Sequence, residues 1–247
     1  MKKIKVGCCG FPENKKEYFK KFSLVELQST FYEIPAKMET VKKWREEAPK
    51  DFEFSLKAFQ VITHDASSPT YKKLKRKFGN QKNYGFFKNT KEVFLAWEMT
   101  KNVAKELKAK VIVFQCPSSF KPEKENIKNF ENFFKKIKEK NFIFAWEPRG
   151  EWSEDLIKNL CKKLNLVHCV DPFKQKPVFG KINYFRLHGK PGYNLKYNYT
   201  IEDFKELLKF CDKKENYVLF NNLNMGKDAQ SFQKLLKNVP HYIAMAK

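Results

Sequence analysis

Short apolar runs in this chain repeatedly close on a residue that titrates or hydrogen-bonds. One ends Glu26-Leu27-Gln28-Ser29-Thr30-Phe31-Tyr32. The next carries Lys57 and reaches Thr63-His64. Others end Gln115-Cys116-Pro117, Trp146-Glu147-Pro148-Arg149 with Trp152 close behind, Asp171-Pro172, Arg186-Leu187-His188-Gly189 and Asn221-Asn222. Glu26, Glu147 and Asp171 are acids; Lys57, Arg149, Arg186, His64 and His188 are bases or cations. The excess of cations suits an anionic ligand, because an Arg fork matches phosphate or carboxylate. An acid–His pair suits general acid–base chemistry. Glu147 or Asp171 is therefore expected as base and His188 as acid. Glu26, Lys57, His64, Gln115, Arg149, Arg186, Asn221 and Asn222 are expected as ligand contacts, and Trp152 as a surface on which a base or sugar stacks. Each residue alone has an ordinary packing explanation: Glu26 could pair with Lys57, Asp171 could cap the turn at Pro172, and Asn221 could cap a short helix. Together they are harder to dismiss, since burying many ionisable groups at one place is costly unless they pair or bind something.

Other chemistries find less support. The chain has 4 histidines, His64, His168, His188 and His241, too few for a multinuclear zinc centre. No cofactor is expected; one divalent ion on Glu147, Asp171 and His188 is the alternative the residue types leave open. No Gly-x-Ser-x-Gly elbow is present, and no Gly-x-Gly-x-x-Gly follows a strand. The six cysteines, Cys8, Cys9, Cys116, Cys161, Cys169 and Cys211, form no C-x-x-C pair. Neither a disulfide nor a structural zinc is expected, and a reducing cytoplasm fits best.

The elements that must position these residues alternate. Strand-like runs are expected at Ile4–Cys9, Leu24–Leu27, Phe52–Ala58, Lys110–Phe114, Phe142–Trp146, Leu166–Val170, Ile182–Leu187 and Tyr217–Phe220. Most intervals carry apolar residues three and four apart, clearest in Ile127, Phe130, Phe133, Phe134 and Ile137. Ser153 and Thr200 read as N-caps followed by acids, and Pro122 and Glu123 as a first turn. Eight strands alternating with helices predict an α/β fold, a parallel eight-stranded (β/α)8 barrel, in one domain over residues 1–247. Residues 59–90 form a long basic segment, expected as an elaborated loop. Pro172–Lys181 is too short for a good helix, so one outer helix is expected to be reduced between strands six and seven. In such barrels the chemistry gathers at the C-terminal ends of the strands, where the runs above all close.

Length and composition agree. The chain's 247 residues, 42% hydrophobic and 32% charged, can bury a full core. No stretch approaches the roughly 20 apolar residues of a membrane helix, and the start, Met1-Lys2-Lys3-Ile4-Lys5-Val6, lacks a signal peptide's apolar region. No membrane partner is expected. Lys plus Arg total 50 against 28 for Asp plus Glu, a net charge of +22. Such an excess attracts polyanions, DNA or RNA included, with strong salt dependence. The same excess fits a compositional bias toward lysine, because the lysines lie along the whole chain.

The strings Val25-Glu26-Leu27-Gln28-Ser29-Thr30-Phe31-Tyr32, Lys57 with Thr63-His64, Gln115-Cys116-Pro117-Ser118-Ser119-Phe120, Tyr184-Phe185-Arg186-Leu187-His188-Gly189 and Phe220-Asn221-Asn222 together resemble the YecE-like family, domain of unknown function number seventy-two. The likeness runs from about Val6 to Leu236. It implies a TIM barrel, similar in fold to endonuclease IV and xylose isomerase, with Glu26, Lys57, His64, Gln115, Glu147, Arg149, Asp171, Arg186, His188, Asn221 and Asn222 matching the family's strand-end pattern. It implies no established reaction. Family members usually show Gly-Thr-Ser-Gly-Trp after the first strand; here the string is Gly7-Cys8-Cys9-Gly10-Phe11. The leading expectation is a hydrolase using acid–base chemistry on a phosphate-bearing ligand, nucleic acid included. A lyase or isomerase acting on a sugar-like small molecule is the second reading, and a non-catalytic nucleic-acid-binding barrel the third.

Overall fold

Strand alternation lets one face of each run fill a barrel while the other meets a helix. The computed structural model, which describes residues 2–76, 79–212, 214–238 and 242–244, has that arrangement. Eight strands, β1 (Lys2–Cys9), β2 (Leu24–Leu27), β3 (Glu53–Lys57), β4 (Val111–Gln115), β5 (Ile143–Glu147), β6 (Val167–Val170), β7 (Ile182–Leu187) and β8 (Glu215–Phe220), pair in parallel, each with the next. β1 closes the ring, pairing with β8 from Lys3 to Cys8 and with β2 through Cys8 and Cys9.

Around the barrel lie α1 (Lys15–Lys21), α3 (Met38–Glu47), α5 (Lys91–Glu106), α6 (Lys124–Lys136), α7 (Glu154–Leu164), α8 (Ile201–Phe210) and α9 (Met225–Lys237). No helix stands between β6 and β7, as the short Pro172–Lys181 interval predicts. Two caps act as read: Ser153 Oγ accepts from Leu156 N at 3.3 Å, and Thr200 and Asp203 form a reciprocal capping box. Pro122 and Glu123 sit one step earlier than expected, since α6 begins at Lys124 with Glu123 as its N-cap. Further elements were not anticipated. The single-turn helices α2 (Ser29–Tyr32) and α4 (Gln60–Thr63) open the loops after β2 and β3. A ninth strand, β9 (Tyr242–Ala244), runs parallel to Lys2–Ile4, on the flank of β1 that β2 takes further along. His241 lies outside the described residues.

Side-chain parity divides the sheet. Val111, Val113, Ala145, Val167, Cys169, Tyr184, Tyr217 and Leu219 fill the barrel interior. The outward residues, among them Phe114, Phe144 and Trp146, meet the helices, where Trp97, Phe130, Phe133 and Phe134 form a continuous aromatic layer. That stripe is core. The interior's polar residues lie at its two ends. At the N-terminal end Lys5 pairs with Glu53 and Glu215, each at 2.7 Å. The opposite end collects the residues singled out above.

Candidate functional site

Arg186 is the pivot. On β7 it shares parity with Tyr184 and points into the barrel, where it is 1% exposed. Its guanidinium lies 3.0 Å from Glu26 Oε1 on β2 and pairs more closely with Glu147 on β5. Asp171, at the end of the neighbouring strand, is not among its partners; Glu26 reaches it from across the barrel. Tyr184 donates to the second Glu26 oxygen at 2.8 Å and bonds Ser55 Oγ at 2.8 Å, so the glutamate is held from below. Gln28 contributes its amide to Glu26. A buried carboxylate–guanidinium–carboxylate cluster thus spans the barrel just beneath its C-terminal mouth.

Glu147 carries a second guanidinium. Arg149, at the start of the loop after β5, reaches Glu147 Oε1 through Nε at 3.1 Å and through a terminal nitrogen at 3.0 Å. Burial alone would raise this carboxyl's pKa; Arg186 and then Arg149 outweigh burial and hold it well below the usual carboxylate range. Asp171 has a different duty. Its Oδ1 accepts from Phe173 N at 3.1 Å and its Oδ2 from His188 N at 2.9 Å, fixing the ends of β6 and β7. His188 Nδ1 lies 3.5 Å from the same Oδ2 without hydrogen-bond alignment, and neither ring nitrogen has a hydrogen-bond partner among the described residues. Unlike the carboxylates, the imidazole is uncommitted. No three His, Cys, Asp or Glu side chains gather as a metal site among the described residues. All six cysteines are buried free thiols.

Lys57, the last inward residue of β3, lies with its Nζ 3.4 Å from the Phe31 ring centroid. Burial, then the charges of Arg186 and Arg149, lower its pKa to about 7. His64, beyond α4, is also buried and is pushed down to about 3 by burial, Lys57 and Arg149, so its ring is neutral. The segment expected as an elaborated loop folds back on this turn. Gly85 N bonds Val61 O at 2.8 Å and Tyr71 Oη donates to His64 O at 2.7 Å. A Cβ on Gly85 would stand 2.2 Å from the His64 carbonyl carbon, and φ is +76° there, so only glycine fits.

These groups open on a cleft of about 640 Å³ at the strand ends. Its floor and sides include Lys57, His64, Gln115, Arg186, His188 and Asn221; Arg149 and Tyr193 connect it to a second hollow of about 450 Å³ bounded by Glu147, Trp152 and Asp171. Two expected ligand contacts lie elsewhere. Asn222 is buried beside the cleft and spends its amide on Tyr197 O and Asp228. Glu26 is 0% exposed and sits below, behind Arg186 and Gln28, which line the cleft. Trp152 packs edge-on against Trp146 and donates to Phe120 O at 2.9 Å, so its indole is partly committed to the loop. Tyr193 was missed. Its ring lies over Arg149 at 4.5 Å and Lys174 at 3.7 Å and touches the His188 ring, roofing the mouth. The Gly189-Lys190-Pro191-Gly192-Tyr193 string could have drawn attention to it.

The match to known proteins agrees with the strand-end strings. A family model described as a protein of unknown function, DUF72, covers residues 12–244. The chain belongs to the DUF72 family. Two DUF72 structures are similar: one from Enterococcus faecalis V583, with TM-score 0.70 and 20% identity over 96% of each chain, and one from Thermotoga maritima MSB8, with TM-score 0.67 and 19% identity over 95% of this chain and 99% of that one. The DUF72 barrel also resembles a D-tagatose 3-epimerase-like protein, with TM-score 0.60 and 15% identity over 96% of each chain. A D-psicose 3-epimerase crystallised in the presence of D-fructose matches with TM-score 0.57 and 10% identity, over 97% of this chain and 99% of that one. At these identities the likeness is one of fold. No curated protein matches the sequence. No helix among the described residues is long and apolar enough to cross a membrane.

Proposed function

We propose that this DUF72 protein is an enzyme that binds a small anionic, sugar-like carbonyl compound in the strand-end cleft and moves a proton beside its carbonyl, as an isomerase or lyase does. The observation that carries this reading is the division of labour in the cleft. Glu26 and Glu147 are locked to Arg186, and both Asp171 oxygens accept backbone N–H groups, while neither ring nitrogen of buried His188 has a partner among the described residues and the amine of buried Lys57 meets only the face of Phe31 there. Hydrolysis asks for a carboxylate free to activate water, whereas Glu26 and Glu147 are held by cations and each Asp171 oxygen already accepts a backbone N–H. Proton transfer at carbon asks for a base near neutrality and for cations that stabilise the enolate oxygen. Lys57 suits the first, with the uncommitted imidazole of His188 in the same cleft; Arg186 and Arg149 suit the second. Arg149, a third exposed, is placed to receive the ligand's phosphate or carboxylate. The cleft's size favours a small molecule over a polymer, and the kinship of fold with proteins named as sugar 3-epimerases adds to the same reading. The net charge of +22 supplies the competing interpretation, salt-sensitive nucleic-acid binding.

The test is proton NMR in D2O with three- to six-carbon aldose and ketose phosphates. The wild-type protein is expected to wash out the hydrogen next to the carbonyl of at least one compound. His188→Ala should slow that exchange by about 100-fold or more, the usual scale of a lost general acid or base, without loss of fold. No wash-out of any compound, with cleavage of a phosphodiester instead, would replace this reading with the hydrolase.

A further inference from the structure

Every other buried cation described within the barrel has a carboxylate. Lys5 has Glu53 and Glu215, and Arg186 has Glu26 and Glu147. Lys57 has none: among the described residues its amine makes no hydrogen bond or ion pair, and its nearest distinctive neighbour is the face of Phe31. A buried amine left this way is costly if it serves only the fold. It lies instead on the wall of the cleft, with Gln115, His64 and Arg186 around the same space. An unprotonated, desolvated lysine beside other cations is the form in which this side chain acts as a nucleophile toward carbonyl carbon.

We infer that Lys57 forms an imine with the carbonyl group of the ligand that enters this cleft. The Nζ lone pair attacks the carbonyl carbon, and the C=O π electrons pass to oxygen, which takes up a proton. The resulting carbinolamine expels that oxygen as water while the C=N bond forms. The two amine hydrogens account for those of the water, and no oxidant or reductant enters. Protonation of the imine then draws electrons from the neighbouring C–H or C–C bond. His188 is the uncommitted group that can take or return that proton, and Arg149 can hold the ligand's anionic end. The inference rests on the small-carbonyl reading above and names the covalent step within it.

Burial and the two arginines set Lys57 near neutrality, with a pKa of about 7. An ordinary surface lysine, by contrast, is unprotonated in only about one molecule in several thousand at pH 7. The experiment is reductive trapping at pH 7 with glyceraldehyde 3-phosphate and sodium cyanoborohydride, read by intact mass and peptide mapping, with unphosphorylated glyceraldehyde in parallel. The expected result is one adduct per chain on the peptide bearing Lys57, formed about tenfold or more faster than on any surface lysine, as its larger free-amine fraction demands. The phosphorylated aldehyde should react faster than the neutral one. The pH at which the trapping rate is half-maximal should lie near 7. Lys57→Arg and Lys57→Met, checked for fold by circular dichroism, should lose the fast adduct. Label spread over surface lysines with Lys57 no faster than they are would overturn the inference, and this readout needs no variant. Solvent-hydrogen wash-out without a Lys57 adduct would overturn the imine while leaving the proposed function standing. A Lys57 adduct without wash-out of any compound would do the reverse.

Discussion

Replacing Arg186 with methionine is expected to lower stability by roughly 3–5 kcal/mol, the cost of leaving buried charge without its partner, and to abolish ligand binding. Among the described residues the guanidinium is the only group that bridges Glu26 on β2 and Glu147 on β5. Methionine fills most of the volume, so the loss would be one of charge rather than of packing. Two carboxylates would then face each other in the barrel interior, one of them still held by Arg149. Their response to pH separates this account from a cavity effect. In the wild type Arg186 keeps the Glu147 carboxyl well below its usual range. That contribution is complete above the unfolded-state pKa and is lost only as pH falls through the folded one. Without Arg186, burial dominates and raises the folded carboxyl above the unfolded value. The folded variant then binds more protons than the unfolded chain, and its stability rises as pH falls. Urea denaturation should therefore show the gap between the wild type and Arg186→Met narrowing from pH 7 to pH 4.5. A gap that stays constant would mean that the arginine is mere filling.

Lys57→Met should act in the opposite direction and stabilise the protein near neutral and mildly acidic pH. The folded amine titrates at about 7 against an ordinary 10.5. Below 7 both states carry the proton, and the folded state bears the full desolvation penalty. Between 7 and 10.5 the unfolded chain binds more protons than the folded one, so wild-type stability climbs with pH; above 10.5 the gain is complete. At about 1.4 kcal/mol for each unit, the climb is roughly 3–5 kcal/mol. Methionine removes the titration. Thermal denaturation should show Lys57→Met melting above the wild type at pH 6, with the two converging by pH 10. A variant less stable than the wild type at pH 6 would show that Lys57 supports the fold instead of straining it.

Much of this was legible in the residues. The eight strands could be placed within a residue or two because each is an apolar run bounded by turn residues, and their last members fall at one end because all strands are parallel. The inward parity of Tyr184, Arg186 and His188 follows from spacing alone. The choice of Glu26 over Asp171 as second partner of Arg186 does not. β2 and β7 are separated by β8 and β1, so their contact depends on how the closed barrel staggers its strands. β9 was invisible because three residues are too few to show a period. Asn222 could not be told from a ligand contact because its partners, Tyr197 and Asp228, come from a loop and a helix whose approach local sequence does not specify. Lys57 was legible as a cation at a strand end. Its isolation was not, because that depends on both nearby glutamates being claimed by Arg186.

The central claim is that the cleft beneath Tyr193 receives a small anionic carbonyl compound, with Arg149 at its charged end. Titration calorimetry with glyceraldehyde 3-phosphate and with unphosphorylated glyceraldehyde, on the wild type and on Arg149→Ala, tests it most directly. Saturable one-to-one binding of the phosphorylated compound by the wild type is predicted, weakened about tenfold or more in Arg149→Ala, as expected for a lost hydrogen bond to a charged group, with little change for the neutral one. Equal binding of the phosphorylated compound by both proteins, or no binding to a wild-type protein that instead retains duplex DNA at low salt, would contradict it.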